Sequence, residues 1–154
     1  MNPGPTLRAS FVVDERSDLG GAIEVVPSID NEPLTGLIDA FERARGYQPP
    51  DGYGGIIPSF YRFEPLDAHY LGRSAPRPGA KVPLLGCECG EWGCWPLLAT
   101  IRATAETVTW SDFEQPHRKD RDYAEFGPFV FDRAQYDEAL AHLTSAVGDC
   151  VSSR

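Results

Sequence analysis

The chain has 154 residues, enough for one good hydrophobic core and too few for two, so a single domain spanning 1–154 is expected. Hydrophobic residues at 42% and charged residues at 24% match ordinary globular usage and exclude a disordered or fibrous chain. An excess of 23 acidic over 14 basic residues gives a net charge of -9, which argues against a nucleic-acid partner and favours a basic protein or a cationic ligand.

The opening "MNPGPTLRAS" has no basic stretch followed by an apolar run, and no segment approaches the apolar length of a membrane span. No signal peptide, no membrane association and a cytoplasmic location are the expectations. In that compartment thiols stay reduced, so clustered cysteines point to metal binding, thiol chemistry or burial rather than a structural disulfide.

In chain order, "LRASFVV" reads as a strand, "RSDLGG" as a turn and "AIEVVP" as the returning strand of a hairpin. "DNEP" ends that strand. Leu34, Leu37, Ile38 and Phe41 then fall at i, i+3, i+4 and i+7, which predicts an amphipathic helix over 33–45 terminated by Gly46. Residues 47–81 are rich in proline and glycine and predict a packed irregular segment without long helices or central strands.

Two strands, "VPLLG" and "PLLATIRAT", flank a cysteine-rich segment, and "TVTWSDF" makes a third whose buried face carries Val108, Trp110 and, out of strict alternation, Phe113. "EQPHRKDRDYAEF" reads as an exposed polar loop leading to a strand at "GPFVFD". Asp132 stands at a helix N-cap with Gln135 as its capping-box partner, and Tyr136, Leu140, Leu143 and Val147 form the stripe of a helix over 133–147 that Gly148 ends. These elements predict an α+β domain: a largely antiparallel sheet of about five or six strands with two helices packed on it.

The segment "LGCECGEWGCWPLL" holds three of the four cysteines, spaced C-x-C-x4-C, and two of the three tryptophans. A reversal within "GEWG" would carry Cys94 back beside Cys89, letting Cys87, Cys89 and Cys94 converge. Zinc normally takes four ligands, and Cys150, His117 or His69 are the candidates for the fourth. The single residue between Cys87 and Cys89 is not the spacing of a zinc knuckle, whose two intervening residues wrap main-chain amides round the sulfurs. Two rival readings therefore stand beside metal: a reversible Cys89–Cys94 disulfide, and plain burial with Trp95 packed across the sheet against Trp110.

The blocks "CxCGxxGCWPL", "VTWSDFEQPHR" and "FDRAQYDEAL", in that order, resemble a group of small bacterial proteins with no established activity. The resemblance covers residues 83 onward, with an echo at "PLTGLIDAFE". It implies a real folding unit and assigns no catalytic residue.

No nucleophile elbow, zinc-protease, P-loop or dinucleotide fingerprint is present, and "DGYGG" lacks the strand-to-helix context of a phosphate loop. His69 follows Asp67 by two residues, a pair suited either to general-base work or to ordinary hydrogen bonding. His117 stands where a strand gives way to a polar loop, and His142 reads as a helix-surface residue. Three function classes follow: a binding module for a protein or small ligand, stabilised by zinc at the cysteines; a metal- or thiol-dependent enzyme using those cysteines with His117 as acid or base; and an antitoxin or immunity protein against a basic toxin.

Overall fold

The computed structural model describes residues 6–47, 52–58, 66–73, 80–87, 96–116 and 120–152, with Cys87 and residues 149–152 described in the main chain alone. The order of elements is β1 (Ala9–Arg16), β2 (Ala22–Ile29), β3 (Glu32–Pro33), α1 (Leu34–Ala44), β4 (Tyr53–Gly54), α2 (Leu66–Tyr70), β5 (Val82–Cys87), β6 (Leu97–Ala103), β7 (Thr107–Glu114), β8 (Phe129–Asp132) and α3 (Arg133–Ser152). The mixed α+β class is as expected. The pairing divides it into two antiparallel sheets, β1-β2-β3 and β4-β5-β6-β7-β8, rather than one.

The first hairpin pairs Ala9 with Ile29 through to Arg16 with Ala22 without a shift of register. Asp30 and Asn31 both adopt positive φ (51° and 69°), the geometry of a two-residue turn whose twist suits antiparallel strands, and this turn folds β3 back onto β2. Helix α1 ends where Gly46 takes a φ of 73°, with Gly46 N donating to Arg43 O and Tyr47 N to Glu42 O, the bond pair of a Schellman cap.

Strand β7 explains the broken alternation of its apolar residues. Asp112 has a φ of 55°, and the β6–β7 register shifts by one residue between Leu98–Glu114 and Thr100–Ser111. The bulge rephases the strand, so Phe113 joins Val108 and Trp110 in the core.

Two single bridges join the sheets. Val25 of β2 exchanges both main-chain hydrogen bonds with Ile56, at 2.8 and 2.9 Å, and Leu7, ahead of β1, donates to Val130 O of β8 at 2.8 Å. Gly55 makes the first bridge possible, since a Cβ there would collide with the Val25 carbonyl. Pairing thus passes from β1 through β2, β4, β5, β6, β7 and β8 back to the approach to β1, a closed circuit around one apolar cluster that includes Val25, Leu84, Leu97, Trp110, Phe131 and Tyr136.

Helix α3 departs from expectation in two ways. Asp132 does cap it, accepting from Gln135 N at 3.1 Å, but the Gln135 side chain does not return to the cap. Its amide instead clamps β1: Ala9 N donates to Gln135 Oε1 (2.8 Å) and Gln135 Nε2 donates to Ala9 O (2.6 Å). The helix also continues through Gly148 to Ser152. Tyr136, Leu140 and Leu143 are buried and Val147 packs against the core, as the stripe predicts. The short helix α2, inside the segment expected to be irregular, packs on α3. Among the described residues no helix is long and apolar enough to cross a membrane.

Candidate functional site

Of the cysteine segment, the structure describes its approach. Strand β5 delivers Cys87 opposite Tyr53 of β4, while Cys89, Cys94, Trp95 and His117 lie outside the described residues, and Cys150 is seen only as main chain in α3. Among the described residues no three His, Cys, Asp or Glu side chains gather as metal ligands.

His69 lies in α2 and is almost fully buried, with Nε2 2.8 Å from the Pro83 carbonyl and therefore donating to it. Burial lowers its basicity below that of an ordinary histidine. Asp67 does not turn to it, accepting instead from Ala68 N at 2.9 Å. The bond to Pro83 gives His69 a packing role, tying α2 to β5. His142 is exposed on α3, as expected.

The chain's buried polar centre lies elsewhere. Glu42 of α1 is fully buried, and its Oε2 accepts from Tyr123 Oη at 2.6 Å and Tyr53 Oη at 3.0 Å, with Arg121 Nη1 at 3.5 Å. Burial pushes both tyrosine hydroxyls well above their ordinary range, and the Glu42 charge adds to the shift, so both remain protonated donors. Arg121 is itself only 5% exposed and lies over the Tyr47 ring. The Tyr47 hydroxyl donates to Asp122 O (3.0 Å) and accepts from Asp122 N (2.8 Å).

This corrects the reading of "EQPHRKDRDYAEF" as an exposed loop. Gln115, Tyr123 and Phe126 are buried, as is the side chain of Arg121, and Phe41 of α1 stacks on Tyr123. The centre staples α1, β4 and the segment before β8 together, with donors and acceptor matched to one another in the interior.

At the surface, a groove of about 160 Å³ runs between β1 and α3, lined by Arg8, Ala9, Ser10 and Phe11 on one side and Gln135, Glu138 and His142 on the other. Negative charge collects along the same strand. Asp14 stands directly opposite Glu24 of β2, and Arg16 is held by Asp18 (2.6 Å) and Glu24 (2.7 Å). Arg43 with Asp39, Arg45 with Glu125, Lys81 with Glu114 and Arg133 with Asp137 are similarly engaged, whereas Arg8, Arg73 and Arg102 are exposed and form no ion pair among the described residues. Among the described residues Asp14, Glu32, Glu106 and Glu138 are exposed and have no ion-pair partner. Comparison of the chain with protein-family models, curated proteins and solved structures finds no match.

Proposed function

We propose that the chain is a binding module whose partner is a basic protein segment. The observation that carries this reading is the distribution of charge. With a net charge of -9, most of the described cations are spent on internal ion pairs, and exposed acids around β1 remain unneutralised. Such a surface attracts a basic partner and accelerates its encounter in a salt-dependent way. An immunity protein against a basic toxin is one form this function takes.

A lysine-rich peptide tests the reading against a glutamate-rich peptide of equal length by calorimetry at low and moderate salt. Binding of the lysine peptide alone, weakening as salt rises, is expected; equal binding of both, or of neither, overturns it.

Within the same reading, zinc held by Cys87, Cys89 and Cys94, with Cys150 or His117 completing the set, stabilises the domain. Support comes from the cysteine composition and from β5, which ends at Cys87. Protein purified without added metal is expected to carry about one equivalent of zinc, and less than about a tenth of an equivalent removes this element of the proposal.

A further inference from the structure

The hydrogen bonds around β1 define the direction of every main-chain group along it. Arg8 O accepts from Asp30 N and Arg16 O from Gly21 N, both on the side of β2. Ala9 turns both its groups the opposite way, to Gln135. Val25, which stands across from Val13, spends its amide and carbonyl on Ile56 and not on β1. Antiparallel alternation then directs the N–H and C=O of Phe11 and Val13 outward, away from β2. Among the described residues nothing donates to or accepts from them.

The edge these groups form has no proline and no bulge, two of the devices by which proteins close an open strand. Ala9 is buried and Phe11 and Val13 pack against the core, so Val12 and Asp14 project from the opposite face of the strand. Val12 is 44% exposed, the one large hydrophobic so exposed among the described residues. Asp14 lies two positions further on the same face, and Glu138 lines the α3 wall of the groove.

We propose that the β1 edge at Phe11 and Val13 takes up, by strand addition, an extended segment of the partner protein that carries an apolar residue and a lysine or arginine two positions apart. The inference rests on the reading of a basic partner and gives that partner a docking place. Main-chain bonds to Phe11 and Val13 supply affinity, while the apolar side chain against Val12 and the cation against Asp14 supply selectivity. Side chains on the other face of the added strand enter the groove between Arg8, Glu138 and His142, where Glu138 and Arg8 leave little net charge and the cation selectivity rests on Asp14. A second copy of β1 suits the edge poorly, because it brings its own Asp14 and another -9 of charge.

The test is amide hydrogen exchange at Phe11 and Val13 in the full chain, with an octapeptide in which valine and lysine alternate at odd positions and threonine fills the even ones. Free protein is expected to exchange rapidly at both amides. Saturating peptide should slow both about tenfold, and a peptide methylated at its backbone nitrogens should not. Asp14→Lys, a substitution at an exposed site, should weaken binding about tenfold. Peptide binding without protection at Phe11 and Val13 overturns the edge while sparing the charge reading. No binding of any cationic peptide overturns both. Protection that rises with protein concentration alone assigns the edge to a second copy and also overturns the proposal.

Discussion

Two buried tyrosine hydroxyls close together in the core have opposite fates. Tyr136 Oη accepts from Trp110 Nε1 at 3.1 Å and donates to the Tyr70 carbonyl at 2.5 Å, whereas Tyr70 Oη has no partner among the described residues. Tyr136→Phe strands a buried indole N–H and a buried carbonyl and is expected to cost about 2 kcal/mol. Tyr70→Phe removes an uncompensated hydroxyl and should leave stability within about 0.5 kcal/mol, or raise it. Urea unfolding of the two variants checks both values, and an equal loss from each would contradict the asymmetry. Glu42 teaches a related lesson about legibility. It follows Leu34 and Ile38 at intervals of four on the buried line of α1, so the pattern itself placed a carboxylate in the interior. Its partners Tyr53, Arg121 and Tyr123 are remote in sequence, which is why the periodicity of one helix does not reveal them.

The elements that sequence reading recovered are those whose signals are local. The β1–β2 hairpin, the Gly46 stop of α1 and the Asp132 cap of α3 each rest on a few adjacent residues. Elements built on distant partners were missed: the two-residue β4 exists because Gly54 meets Gly86, and the five-residue α2 because it packs against α3. Gln135 was expected to close a capping box, but Ala9 competes for its amide more effectively than the cap does. Gly148 was misread for an energetic reason. A glycine inside a helix costs only about 1 kcal/mol relative to alanine, and it ends a helix only when it adopts positive φ, which Gly148 does not. No atom lies within 4 Å of where its Cβ would be. Gly148→Ala should therefore stabilise the chain by about 0.5–1 kcal/mol, read as a raised melting temperature. A lowered one would mean that the last turn of α3 is not helical in solution.

Across the whole molecule, burial links stability to alkaline pH. Tyr53, Tyr70, Tyr123 and Tyr136 all have hydroxyls raised above the ordinary tyrosine value of about 10, with desolvation the largest cause in each. Above that pH the unfolded chain ionises these groups while the folded chain keeps them protonated. Their contribution is fully present below about pH 10 and is lost as pH rises toward the folded values. Stability should fall steeply above pH 10, with most of the tyrosinate absorbance of the chain's six tyrosines appearing together with loss of structure; ionisation of all six near pH 10 in an intact fold would contradict it.

The Gln135 amide has a consequence for reading frame. By presenting one donor and one acceptor to Ala9, it occupies the position that a neighbouring strand's peptide group would take. Whatever pairs with β1 beyond that point starts at Phe11 and cannot slide past Ala9. In a strand a slip of one residue reverses every side chain, so this single glutamine sets the phase in which the outward residues of β1 can be read.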